Sequence, residues 1–148
     1  MAKTSNKSDK KVIDALNTIL ENELAGVVRY THYALMIYGY NRIPIVKWLR
    51  DQANESLGHA NLAGEHITTL EGHPSLKISS LLETHKHSIN DILLESLKHE
   101  EAQCENYKKL LSLVEDDVVF LEEYARQMIC DEEAHISEVK KMLRSPNG

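Results

Sequence analysis

Cysteine is scarce in this chain of 148 residues: Cys104 and Cys130 are the only two, with no C-x-x-C and no Cys/His zinc spacing. Two thiols cannot build a disulfide scaffold, so both read as ordinary reduced cysteines, Cys104 in the core and Cys130 facing outward. Proline is limited to Pro44, Pro74 and Pro146, and no glycine lies between His73 and Asn147. Without these breakers long helices are the natural result. Aromatics make up only 5% of the chain, which leaves the core to Leu, Ile, Val and Ala. Basic residues are outnumbered, 17 Lys and Arg against 23 Asp and Glu for a net charge of -6, which disfavours nucleic-acid binding by phosphate neutralisation. No run approaches the roughly 18 apolar residues of a membrane span. The start M-A-K-T-S-N-K-S-D-K-K lacks the apolar core of a secretory signal, so the expectation is a soluble cytoplasmic protein with no membrane partner. The length suits one domain able to bury a sizeable core.

What is present is a 3.6-residue apolar period, repeated four times. Residues 1–8 read as a flexible polar tail, after which Ser8 or Asp9 can cap a helix with Val12, Leu16, Ile19, Val27, Tyr30, Ala34 and Ile37 on one stripe. Gly39, Asn41 and Pro44 break it; Ile45, Leu49, Ala63 and Leu70 carry a second helix to Gly72, which sits in the usual C-terminal capping place. The stretch H-P-S-L-K-I-S-S reads as the longest irregular piece, a crossover. A third helix is expected from Leu81 or Leu82, with Leu93, Leu97, Cys104, Tyr107, Leu111 and Val114 inward. After Glu115, Asp116 and Asp117 a fourth uses Leu121, Ala125, Met128, Val139 and Met142, leaving 144–148 as a short tail. The expected fold is all-α: a four-helix bundle over 9–143 of two antiparallel hairpins joined by one crossover.

Each stripe carries a residue that a plain core would not use: Glu23, then His59, then Glu100, then Glu132 with His135. Singly each has a bland explanation, since a stripe-edge Glu usually reaches solvent and a core His is usually only hydrogen-bonded. Their heights argue otherwise. Glu23 and His59 average to position 41, inside the first turn, and Glu100 with His135 to about 117, inside the second, so each pair is level in an antiparallel hairpin. All lie roughly 25 Å from their turns, near mid-helix. The halves also resemble each other, because Tyr30 follows Glu23 by seven residues and Tyr107 follows Glu100 by seven. That duplication sets Glu23 opposite Glu100 and offers two hydroxyls to orient carboxylates. Buried carboxylates are costly unless paired or metal-bound. Glu132 and His135 form E-x-x-H on one helix face, the arrangement of carboxylate-bridged di-iron sites, and oxygen with imidazole donors suits iron or manganese.

N-E-L followed by Tyr30, the run H-A-N-L-A-G-E-H-I-T-T-L-E-G-H-P and C-D-E-E-A-H-I-S make the chain resemble bacterioferritins, within the ferritin-like family, from about Asp9 to Leu143. The resemblance implies a di-iron ferroxidase that oxidises Fe(II) with oxygen or peroxide and contributes to iron storage or detoxification. It implies two iron ions per chain, with manganese as an alternative metal. Glu23 and Glu100 would be terminal ligands, Glu132 a bridging one, and His59 and His135 the histidines. The second bridging carboxylate should fall at Ser56; the nearest carboxylate is Glu55, in E-x-x-x-H, which we expect to be the ligand through a π-bulge near Gly58 or a rotated second helix. Leu57 stands where bacterioferritins offer a Met to haem, so no haem is expected. Only 13 residues follow His135, so no substantial fifth helix is expected.

Leu57, Ile43, Ile45 and Trp48 give helix two an apolar outer surface that suggests a homo-oligomer, at least a dimer. His32, His66, His73, His85, His87 and His99 read as solvated or structural, with His66 the best candidate for a core hydrogen bond. Two alternatives stand beside the ferroxidase: another di-iron oxidoreductase on the same fold, and a ferritin-like protein with a degenerate site.

Overall fold

A computed structural model describes residues 7–146, with side chains from Asp9 onward. Helix α1 spans Lys7–Met36, α2 Arg42–Thr69, α3 Ile89–Val114 and α4 Val119–Leu143. There is no strand and no fifth helix among the described residues. α1 packs on α2 and on α3, and α3 packs on α4, so two antiparallel hairpins share a face and residues 70–88 cross between them. This is the expected architecture. None of the four helices is long and apolar enough to cross a membrane.

Several boundaries fall elsewhere than the pattern suggested. Of the polar tail placed at 1–8, residues 1–6 lie outside the described residues, and α1 has begun by Lys7; Asp9 therefore sits in its first turn, where a carboxylate favours the helix dipole, rather than before it. α2 ends one residue early. Glu71, at φ 62°, takes the left-handed position and Gly72 follows it, with the Gly72 N–H donating to Ile67 O at 2.9 Å and Glu71 N–H to Thr68 O at 3.0 Å, a Schellman closure. Gly72 is needed for another reason: a Cβ there would come within 2.9 Å of the Ile13 side chain. α3 starts at Ile89, not Leu81 or Leu82, because Ser88 caps it by accepting from the Asp91 N–H at 3.0 Å and His85 turns the preceding chain through φ 57°. The crossover is accordingly longer than expected. It runs along α1, held by Asn17 to His73 O and Ser75 N–H and by Glu21 O to Ser79 N–H.

The apolar interior comes in two clusters. One collects Leu16, Ile19, Ile67, Leu110, Val114 and Leu121 with their neighbours; the other collects Tyr30, Tyr33, Ile37, Leu49 and Ile92. Leu110 takes the fully buried place expected of Leu111, and Met142, expected inward, is 36% exposed. Between the clusters lies a buried polar belt of Glu23, His59, Glu100, Gln103 and Glu132. The backbones of α2 and α4 stay further apart than the other packed pairs, and the two helices meet through side chains, polar ones at mid-height and apolar and aromatic ones in the first cluster.

Candidate metal centre

Glu23 stands on the α1 stripe, one turn after Ile19 and two turns before Tyr30, so helical spacing alone turns it inward, where it is 2% exposed. Its Oε1 accepts from Gln103 Nε2 at 2.8 Å. Its Oε2 lies 3.0 Å from His59 Nδ1 and has no hydrogen bond of regular geometry among the described residues. His59 Nδ1 is also 3.7 Å from Glu132 Oε1. Glu132, 1% exposed, likewise has an unpartnered oxygen, Oε2. Two groups of ligand atoms result, each within 4.8 Å of one another: Glu23, His59 and Glu132, and Glu100, Glu132 and His135. Glu132 belongs to both.

Glu55 lies beside these groups without belonging to either. Its Oε1 is 3.0 Å from His135 Nε2 and 3.8 Å from His59 Nε2, so it too lies between the two halves. The six candidate residues of the sequence are thus together. The route is not the expected bulge: α2 is α-helical without interruption through Gly58, and residues i and i+4 are close enough on a regular helix for a Glu side chain to span the offset. Ser56 is buried but turned away, its Oγ 2.9 Å from where a Cβ on Gly26 would stand.

The electrostatics follow from burial and crowding. Burial drives the Glu132 carboxyl far above its ordinary range, and the hydrogen bond and negative charge of Glu100 push the same way, so Glu132 holds a proton at neutral pH. Glu100 is also raised by burial, but the hydrogen bond from Glu132, the His99 charge and the Tyr30 hydroxyl outweigh it and hold Glu100 low. Burial raises Glu23, with His59 opposing. His59 is lowered by burial and raised more by Glu23 and Glu55, a net rise.

The tyrosines divide their work unequally. Tyr30 OH donates to Glu100 Oε1, across the bundle rather than to Glu23 of its own helix. Tyr107, fully buried, has no hydrogen-bond partner for its hydroxyl among the described residues, so of the two tyrosines expected to orient carboxylates Tyr30 alone bonds one there. Two contributors were missed in the sequence. Gln103, one turn from Glu100, orients Glu23 and is itself fixed by donating to Ile19 O and by accepting from Asn22 and Asn106. Its place on the stripe was the available signal. His99, taken as solvated or structural, is 8% exposed and lowered by burial, packed where a Cβ on Gly26 would lie within 2.9 Å of its Nε2. The His66 side chain forms no hydrogen bond among the described residues; it packs against Tyr124 and Phe120 with ring centroids 4.2 and 5.1 Å away. Trp48 and Ile45 pack against the second core cluster, so the outer apolar surface expected on helix two narrows to Ile43 and Leu57.

The buried donors fit metal ions. Two solvent-excluded carboxylate oxygens lack any hydrogen bond, a costly arrangement in a protein interior without a cation, and carboxylate with imidazole is a donor set for iron or manganese rather than for a thiolate metal.

A family model described as Ferritin-like domain matches residues 13–147. A bacterioferritin of Brucella melitensis is 30% identical over 141 residues, covering 93% of this chain and 85% of that protein. A bacterioferritin of Rhodobacter capsulatus is 34% identical over 71 residues, a match spanning less than half of either, 48% of this chain and 44% of that one. Among solved structures, a ferritin-like di-iron-carboxylate protein of Bacillus anthracis superposes with TM-score 0.89 at 23% identity, covering 94% of this chain and 99% of that one. A dodecameric thioferritin related to bacterioferritin, from Bacteroides fragilis, gives 0.81 at 23% identity over 91% and 85%. Rhodobacter capsulatus bacterioferritin, solved with a metal-free dinuclear site and haem iron, gives 0.81 at 25% over 90% and 84%.

Proposed function

We propose a function on the premise that these matches supply, namely that the chain belongs to the ferritin-like family: it is a ferroxidase that oxidises Fe(II) with oxygen or peroxide at a two-metal centre made by Glu23, Glu55, His59, Glu100, Glu132 and His135. The observation that carries the proposal is the sharing of Glu132 between two three-residue ligand groups, together with orphaned oxygens on Glu23 and Glu132. Glu23 with His59 would hold one ion, Glu100 with His135 the other, and Glu132 and Glu55 would touch both. When bound, iron or manganese supplies one-electron redox chemistry toward oxygen or peroxide.

The chain's own residues prepare that site. Gln103 fixes Glu23 Oε1 and leaves Oε2 free for a cation. Tyr30 fixes Glu100 in the same manner. The proton on Glu132 balances charge while the centre is empty of cations and must leave when Fe(II) enters as substrate. Glu55, with its side chain 40% exposed, is the carboxylate that incoming Fe(II) meets first. The two apolar clusters on either side keep the belt dry, which strengthens every charge interaction within it.

A homo-oligomer of at least two chains, a cytoplasmic setting and an iron-storage or detoxifying role accompany this reading, as does the absence of haem on account of Leu57. Against the degenerate-site alternative, Glu55 Oε1 lies 3.0 Å from His135 Nε2, which supports Glu55 as the carboxylate taking the role that Ser56 cannot fill. The test is the rate of Fe(II) oxidation under air by the metal-free protein: acceleration over buffer that vanishes in Glu100→Ala with Glu132→Ala supports the proposal, and no acceleration by the unaltered chain ends it.

A further inference from the structure

A second cluster of metal-ligand side chains lies away from the central belt, where the crossover meets α1. His32 Nε2 is 2.9 Å from Glu83 Oε2, His87 Nε2 is 3.4 Å from Glu83 Oε1, and ligand atoms of the three residues all fall within 4.8 Å of one another. The rings of His32 and His87 stand 5.4 Å apart. An ion with bonds of about 2.1 Å in tetrahedral geometry needs donors roughly 3.4 Å from each other, so these separations match with little movement.

The cluster is built rather than accidental. His85 at φ 57° folds the crossover back on itself, its N–H donating to Glu83 Oε1 at 2.7 Å, which brings His87 round to the same carboxylate. Next to it Thr84 donates to Glu95 of α3, and Glu95 in turn accepts from Tyr33 OH at 2.7 Å. Tyr33 also accepts from Arg29 at 2.8 Å, which occupies the nearby guanidinium. Val28, Leu81 and Leu82 supply an apolar backing, in a cavity of about 190 Å³ that also touches His32 and Glu83. His32 Nε2 is shut off from solvent and makes no hydrogen bond although it sits 2.9 Å from a carboxylate oxygen. Two electron-rich atoms in that position repel unless a proton or a cation lies between them. The His85 N–H, followed by the two histidines, holds the Glu83 carboxyl below its ordinary range and so keeps it an anion.

We propose that His32, Glu83 and His87 form a peripheral site for one divalent first-row transition ion, of the Zn(II) or Fe(II) class, that clips the crossover to α1. Two imidazoles and one carboxylate suit such ions and leave positions open to water. Glu83 and His87 come from the crossover and His32 from α1, so a bound ion ties together segments 51 residues apart in the chain and stabilises the folded state over the unfolded one. The proposal stands independently of the ferroxidase, since it uses none of the six central residues.

The experiment is histidine footprinting of the unaltered protein with diethyl pyrocarbonate, read by peptide mass spectrometry, with Zn(II) alone as the probe. At a free Zn(II) concentration ten times the dissociation constant, modification of His32 and His87 should fall about tenfold, while exposed His73 reacts at its original rate. Equal rates for His32 and His87 with and without Zn(II) would overturn the proposal. As a second readout, His32→Gln with His87→Gln should bind one Zn(II) fewer per chain than the parent at equal Fe(II) oxidation rate. Unchanged Zn(II) stoichiometry in that folded variant would also overturn it.

Discussion

The hairpin of α3 and α4 offers the proposed centre Glu100, Glu132 and His135; the hairpin of α1 and α2 offers it Glu23, Glu55 and His59. The residue types are the same and their surroundings are not. In α4 the Glu precedes its His by three residues and is 1% exposed; in α2 it precedes by four and its side chain is 40% exposed. One turn beyond the lone Glu, α3 has Gln103, which braces Glu23 across the bundle, whereas α1 has Gly26, which makes room for Ser56 and His99. A shift of one residue along α2 therefore separates a sealed half, where a proton is held on Glu132, from a half that opens at Glu55. On the proposed function, the exposed Glu55 is the side of metal entry and the buried Glu132 the shared inner ligand.

Glu132 carries the largest expected effect. Glu132→Ala should abolish tight loading of both ions and bring Fe(II) oxidation to the rate in buffer, because this carboxylate belongs to both ligand groups; retention of one tightly bound ion would show that the halves work separately. Next comes Glu55→Ala, which should slow Fe(II) oxidation and weaken one ion, while Ser56→Ala leaves both quantities unaltered. The reverse result would move the ligand to Ser56 and undo the open-half assignment. Tyr30→Phe, which leaves Glu100 without its hydroxyl donor, should cost about 10–100-fold in metal affinity, while Tyr107→Phe, whose hydroxyl bonds nothing, should cost far less. Comparable losses in titrations of the two variants would contradict the unequal roles of the tyrosines.

Smaller effects sharpen the same contrast. Since burial keeps Glu132 protonated in the metal-free chain, a cation must displace that proton, so loading at pH 7 should release acid and weaken as the pH is lowered. A pH-indicator titration showing no proton release would mean that Glu132 is already ionised. The metal-free chain should also be stabilised by Glu132→Leu, because a buried carboxyl crowded by Glu100 and Glu23 is replaced by apolar packing; a gain of about 1 kcal/mol would raise Tm by about 2–4 °C. A lower Tm by calorimetry would show that the belt is satisfied without metal.

The helices, the crossover and the convergence of Glu23, His59, Glu100, Glu132 and His135 at one height were legible in the sequence because helical periodicity and antiparallel geometry are both arithmetic in residue number. Glu23 and His59 could be set level without knowing any contact. Glu55 came from resemblance, and the bulge invoked for it did not form because a Glu side chain is long enough to bridge an i to i+4 offset. What stayed hidden depended on side-chain direction. Gln103 was not singled out among the polar residues of α3, and His32 with His87 read as solvated or structural, because a left-handed turn at His85 has no periodic signature. The start of α3 was misplaced for a related reason: apolar Leu81 and Leu82 continue a helical pattern, and only the Ser88 cap shows where the helix begins.

Anomalous diffraction at the iron edge, from crystals loaded anaerobically with Fe(II), tests the central claim most directly. Two peaks should appear inside the bundle, one beside Glu23 and His59 and one beside Glu100 and His135, with Glu132 and Glu55 reaching both. No peak among these six side chains, or a single peak that leaves Glu132 unligated, would contradict it.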